Sequence, residues 1–161
     1  MRYSGSYAVL LVLHLLTVAF VVGPAAAAAV VSARHARNGE AQALRAASRM
    51  TRLYTLGALV TILLGSAMIG LGDIGEQWEF GQLWVSASYA LSIVAIAVVL
   101  GLLVPAQLQA AKAIEAATGG SRPDAARRAG TAFAGRISAG GGIAMLAWAA
   151  VIVLMVVKPG A

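Results

Sequence analysis

Few side chains in this sequence are able to do chemistry, and the most informative of them is His14. It lies inside a long apolar segment near the start of the chain, where ionisable residues are uncommon and often functional. A neutral imidazole in such a place can ligate haem iron, relay a proton, hold a metal or hydrogen-bond to another helix. The sequence leaves these roles open, so His14 is the candidate cofactor-binding residue, with haem b as the cofactor considered.

The remaining residues restrict that chemistry. The chain has no cysteine, which excludes iron–sulfur clusters, Cys-ligated zinc and thiol catalysis. The other histidine, His35, lies about six helical turns further along the same segment and cannot face the same iron. A second axial ligand would be Met68, Met145 or Met155, or it would be absent, which leaves a five-coordinate iron held by His14 alone. With no recognisable catalytic triad or phosphate-binding loop, we expect neither a catalytic residue nor a metal cluster.

Four apolar blocks make up most of the chain. Only 11% of the residues are charged, against about 25% in an ordinary soluble domain. The blocks cover residues of about 7–31, 53–71, 83–104 and 137–157, each near the roughly 20 residues that a helix needs to cross a membrane. Since a backbone in lipid must satisfy its own hydrogen bonds, we predict an all-α, four-transmembrane-helix bundle that forms a single domain over residues 1–161.

The basic residues predict how the spans are oriented. Ten of the 12 Lys and Arg residues lie between spans one and two or between spans three and four, whereas the segment 72–82 contains Asp73, Glu76 and Glu79 and no basic residue. The positive-inside rule then places the Arg-rich loops in the cytoplasm and both termini outside. These loops are rich in good helix formers, so we expect helical extensions on the cytoplasmic side. The expected location is the bacterial cytoplasmic (inner) membrane.

The net charge of +6 does not indicate nucleic-acid binding, because the basic residues sit where topology signals are expected. They are suited to anionic lipid headgroups, or to a carboxylate or phosphate group held at the cytoplasmic face. The candidates for this contact are Arg49, Arg52, Arg127 and Arg128.

Small residues at regular spacing indicate where the helices pack. Helices in lipid associate through close contact of small side chains, and three spans offer such faces. They comprise Gly57, Thr61 and Gly65 in span two, Ser88 and Ser92 with Tyr89 alongside in span three, and Gly135, Ala139 and the run Gly140-Gly141-Gly142 in span four. These faces are also compatible with a groove that admits a ligand. The partners expected are the lipid bilayer and, through such faces, a second copy or a larger membrane complex.

Several short motifs carry a resemblance to a known family. Leu13-His14, Gly23-Pro24 and the stretch 49–57 resemble a family of small bacterial integral membrane proteins catalogued as a domain of unknown function. Gly65 late in span two and a Trp opening span three extend the resemblance over nearly the whole chain. It implies a four-helix membrane protein and specifies no reaction.

His14 also carries a more distant likeness to J-type protoporphyrinogen oxidase and to copper-resistance D-type membrane proteins. The J-type likeness implies haem at His14. The in-membrane lysine of that family has no match, since Lys112 and Lys158 lie outside the spans. Three functions remain open: a non-catalytic or accessory membrane component, a haem- or porphyrin-binding redox protein, and a small-solute or ion conduit.

Overall fold

Long helices account for almost all of the structure. The computed structural model describes residues 5–71, 79–119 and 124–159. Within them lie the helices α1 (Gly5–Asn38), α2 (Ala41–Leu71), α3 (Leu83–Val98), α4 (Val104–Thr118) and α5 (Ala125–Val157). These described ranges contain no β-strand. The all-α prediction is confirmed.

Four helical units are long and apolar enough to cross a membrane: Gly5–Asn38, Ala41–Ile69, Leu83–Thr118 and Ala125–Val157. The third unit joins α3 to α4 through a five-residue π-helical segment, Val99–Leu103. Each unit runs well past the apolar block predicted for it at the end that carries the arginines. The helical extensions expected there are therefore present.

Two ends of the bundle are named here by their residues. The arginine end comprises residues 34–52, 112–119 and 124–128, and the tryptophan end comprises Tyr7, residues 79–84 and Lys158. A tight turn joins α1 to α2 at the arginine end, where Gly39 has a φ of 74° and the Glu40 N–H donates to the His35 carbonyl oxygen at 3.0 Å. A glycine suits this left-handed cap, and its hydrogen bond satisfies a carbonyl at the helix terminus.

The core lies toward the arginine end and consists largely of alanine. Its buried cluster comprises Ala29, Ala33, Ala36, Leu44, Leu103, Ala106, Ala110, Ala111, Ile114, Ala134 and Ile137. At Gly130, an added Cβ would collide with the carbonyl oxygen of Ala36, so α5 and α1 approach each other almost backbone to backbone. Such close approach increases the dispersion contacts that hold helices together in lipid.

The third unit changes partners along its length. α4 packs against both α2 and α5, whereas α3 packs mainly against α5. The π-helical segment lies between these two arrangements, just before Pro105, and the Val104 N–H bonds back to the carbonyl oxygen of Val99. A proline lacks the backbone N–H that continues the hydrogen-bond ladder of a helix. A π-turn accommodates this gap, and it also changes the direction of the helix. α3 is thereby left apart from α2 in the half of the bundle nearer the tryptophan end.

Candidate functional site

A cavity of about 350 Å³ occupies that half of the bundle. All four helical units contribute to its wall, which includes His14 of α1, Thr61 of α2, Ser88 of α3 and Trp148 of α5. A smaller cavity of about 160 Å³ lies further toward the arginine end and shares Trp148 with the larger one. The larger cavity follows from the packing just described. α4 fills the space beside α2, whereas α3 stays apart from α2 and leaves the corresponding space empty.

His14 is held in this wall by α2. Its Nδ1 lies 3.0 Å from the carbonyl oxygen of Thr61. Because a carbonyl oxygen only accepts, Nδ1 carries the proton and donates it, which leaves Nε2 as the lone-pair atom of a neutral ring. An added Cβ on Gly65 would stand 3.1 Å from His14 Cε1. The missing side chain of Gly65 therefore makes the space in which the imidazole lies.

The predicted packing face of α2 is thus in contact with α1. Gly57 faces Val21, whose Cγ2 would be 2.8 Å from an added Cβ, and Gly65 faces His14. Thr61, between them, is buried and supplies the carbonyl oxygen that His14 bonds. The structure brings these three residues and the candidate cofactor ligand together in one place.

The small residues predicted to pack along α5 lie on two sides of the helix. Gly135, Ala139 and Gly142 are exposed, and nothing lies within 4 Å of an added Cβ at Gly135 or Gly142. The face that packs in the bundle includes Gly130, Gly140 and Gly141. An added Cβ on Gly141 would be 2.7 Å from the Cβ of Ala29. Gly140 and Gly141, from the run predicted to pack, therefore lie inside the bundle, whereas the exposed Gly135, Ala139 and Gly142 remain a predicted contact face.

Tyr89 forms part of the cavity wall. Its hydroxyl lies 2.5 Å from Ser66 Oγ on α2, and Ser66 donates its own proton to the carbonyl oxygen of Ile62 at 2.8 Å. Tyr89 must therefore be the donor in the bond to Ser66. This polar contact joins α2 to α3 where the two helices are otherwise apart.

A second polar cluster lies at the arginine end and was missed in the sequence. Gln107 is fully buried, and its Nε2 donates to Ser32 Oγ at 2.8 Å and to Thr51 Oγ1 at 3.3 Å. It connects α4 to α1 and α2 through one amide. A long polar side chain two residues after Pro105, among alanines, was the signal that could have identified it.

The four arginines proposed for anion or lipid contact are all exposed. Arg49 and Arg52 lie on α2, and Arg127 and Arg128 lie in the first turn of α5, where Arg128 is 3.7 Å from Asp124. An ion pair this exposed contributes little to stability. The four side chains are accessible to headgroups, and the structure does not gather them into a pocket.

Other ion pairs hold the arginine end together. Arg45 bonds Glu115 in a two-point contact, with Nε to Oε1 at 2.7 Å and Nη2 to Oε2 at 2.5 Å. Beside the α1–α2 turn, the Glu40 carboxylate accepts hydrogen bonds from His35 Nδ1 and from Asn38 Nδ2. These bonds, the one from His35 first, lower the pKa of Glu40 below its ordinary value. His35 therefore serves the turn, far from His14.

The remaining candidates are placed as follows. Met68 and Met155 line the larger cavity with His14, whereas Met145 lines the smaller one. Asp73, Glu76 and Trp78 lie outside the described residues. Within the described part of the chain, no group of three or more His, Cys, Asp or Glu side chains is arranged to hold a metal ion.

The fold and its apolar surface define a polytopic helical membrane protein. Large apolar side chains are exposed along the helices, among them Phe20 at 72% and Leu146 at 73%, and such surface needs lipid around it. The chain belongs to the family described as predicted integral membrane protein (DUF2269), whose pattern matches residues 8–159. No curated protein and no solved structure matches it.

Proposed function

We propose that this protein is a non-catalytic component of the bacterial cytoplasmic membrane that binds a small, largely apolar molecule inside the bilayer. The observation that carries the proposal is the cavity of about 350 Å³. Ligand sites are concave, mostly apolar and supplied with a few oriented polar groups. Here the wall is mainly aliphatic and aromatic, and His14 is held in it by the carbonyl oxygen of Thr61.

The charge distribution supports an orientation for this cavity. Ten of the chain's 12 Lys and Arg residues lie in the sequence between spans one and two or between spans three and four, the two stretches that include the arginine end, and such an excess favours the cytoplasmic side. The tryptophan end then faces outward and the cavity lies in the outer half of the membrane. A molecule dissolved in the outer leaflet would reach it without crossing the bilayer.

The test uses fluorescence of the indoles, since Trp84 and Trp148 line the cavity. Bromobenzene, whose bromine quenches indole fluorescence, is titrated into protein held in lipid nanodiscs. We expect saturable quenching that Ser92→Leu abolishes, because Ser92 lines the cavity and is buried. Ser86→Leu, on the exposed side of the same helix, is the matched control and should leave the quenching unchanged.

Quenching that rises linearly with bromobenzene in all three proteins would contradict the proposal. It would mean that the probe reaches the indoles only by dissolving in the lipid. Saturable quenching that survives Ser92→Leu would place the binding site elsewhere.

Haem binding is the second candidate, and the geometry of His14 favours it. Metal-ligating histidines commonly donate the second ring N–H to a carbonyl oxygen, which orients the ring, and His14 Nδ1 does so toward Thr61. Its Nε2 would hold the iron, with Met68 or Met155 available on the same wall. Protein purified in mild detergent would then show a Soret band that His14→Ala removes; colourless protein that takes up no added haem excludes this candidate.

Self-association is a further part of the proposal. Its support is the exposed face of α5 with Gly135, Ala139 and Gly142, since small residues at such spacing allow close approach of helices in lipid. The conduit alternative receives no such support, because the alanine-rich core fills the bundle toward the arginine end.

A further inference from the structure

The directions of the hydrogen bonds around the larger cavity restrict what it can bind. Each serine or threonine hydroxyl has one proton to donate and lone pairs to accept with. Thr61, Ser88 and Ser92 each donate this proton to the carbonyl oxygen four residues earlier. The distances are 3.2 Å for Thr61, 2.7 Å for Ser88 and 2.7 Å for Ser92. Since a carbonyl oxygen cannot donate, these three hydroxyls have only lone pairs left for a ligand.

Tyr89 and His14 follow the same rule. Tyr89 donates to Ser66, whose proton is already used on Ile62. His14 donates from Nδ1 to Thr61, so the neutral ring keeps an accepting Nε2. A charged ring would be costly at this depth in lipid, and the described residues of the wall include no carboxylate to pair with it.

His14 and Ser92 lie at a similar depth, and Ser88 lies about one helical turn nearer the tryptophan end. His14 is seven residues beyond Tyr7 and Ser92 is eight beyond Trp84, which at the helical rise corresponds to about 10–12 Å from the tryptophan end. Nearer that end the wall carries donor groups, and there Lys158 lies over the ring of Trp84, with Nζ 5.9 Å from its centroid. Trp148 also lines the wall and carries one indole N–H, against the five acceptors named above.

We infer that the cavity selects an apolar molecule that carries a hydrogen-bond donor, such as a phenolic or other hydroxyl on a hydrocarbon body. This inference rests on the proposed function and names the ligand class. When the ligand places its hydroxyl beside His14 and Ser88, the hydroxyl proton gives the lone pairs of these two side chains a hydrogen-bond partner. A ligand with only acceptors, such as an ether or a ketone, leaves them unpaired in a low-dielectric site, and unpaired buried groups are costly.

The test compares two molecules of nearly the same shape, 4-bromophenol and 4-bromoanisole, which differ in whether the oxygen carries a proton. Both quench indole fluorescence through bromine, and both are compared at equal concentration in the nanodisc lipid. We expect the phenol to bind about tenfold more tightly than the ether, as one neutral hydrogen bond in a buried site allows. His14→Leu should remove most of this preference.

Ser88→Ala is the second variant, because this smaller change keeps the fold if His14→Leu does not. Ser88→Ala should reduce the preference for the phenol over the ether about threefold. Ser86→Ala, on the exposed side of α3, is the matched control and should retain it. Equal saturable binding of phenol and ether would overturn the inference while leaving the proposed cavity intact. Binding of neither would overturn both, and a preference undiminished in His14→Leu and Ser88→Ala would contradict the assignment to these residues.

Discussion

Gln107 illustrates at the level of one residue how this bundle places polar groups in an apolar interior. Ser32 and Thr51 each donate their hydroxyl proton to the carbonyl oxygen four residues earlier. Their lone pairs then face the two N–H groups of the Gln107 amide. One side chain thereby satisfies two hydroxyls from two other helices.

This arrangement predicts a difference between two substitutions of similar size. Gln107→Glu replaces the donating amide by a carboxylate facing lone pairs, and should lower the free energy of unfolding by about 3 kcal/mol. Gln107→Met leaves the hydroxyls unpaired without adding charge and should cost about 1 kcal/mol. Unfolding by SDS in mixed micelles measures both; equal stability of the two variants would contradict the role assigned to the amide.

His14 was identifiable from sequence because a histidine stands out in an apolar segment. Its partners were only partly identifiable. Gly57, Thr61 and Gly65 were predicted to pack, but the contact of Thr61 and Gly65 with His14 depends on how α1 and α2 align, which no local pattern specifies. Gln107 was missed, since a glutamine in a segment rich in Ala is equally suited to an exposed helix.

At the scale of elements, the small residues of α5 determine how closely it approaches α1 and the third helical unit. Gly140 lies against Leu103, whose Cβ would be 3.3 Å from an added Cβ, and Gly141 lies against Ala29. Gly142 is one position further and faces outward. Three consecutive glycines therefore have different surroundings.

Neighbouring alanine substitutions separate these surroundings. Gly141→Ala places a Cβ 2.7 Å from that of Ala29, so the helices must move apart, at a cost of about 1–3 kcal/mol. Gly142→Ala meets nothing within 4 Å and should gain a few tenths to about 1 kcal/mol from helix propensity. Thermal unfolding in detergent tests this; similar midpoints for both variants would show that α5 packs through another face.

The ends and types of the helices were largely predictable, because apolar length and charge distribution determine where a membrane helix lies. Which of the small residues of α5 pack inside the bundle was not predictable. Glycine and alanine occur all around its middle, so no face differs enough from the others to identify the contact. The π-helical segment also lacked a sequence signal beyond Pro105, since its position depends on how α3 and α4 meet different partners.

At the scale of the whole molecule, the two ends of the bundle differ in both charge and packing. The arginine end holds the tightly packed alanine core, and the half nearer the tryptophan end holds the larger cavity. The proposed function depends on which end faces outward, because this decides the leaflet from which a ligand enters.

The most direct measurement of that central point is labelling of single cysteines in intact cells. The chain has no cysteine of its own, so Gly81→Cys reports on the tryptophan end and Arg127→Cys on the arginine end; both positions are exposed. With a membrane-impermeant maleimide added outside the cytoplasmic membrane, we expect Gly81→Cys to react and Arg127→Cys to react only after the membrane is opened. Labelling of Arg127→Cys from outside, with protection of Gly81→Cys, would contradict the orientation and place the His14 cavity in the cytoplasmic half.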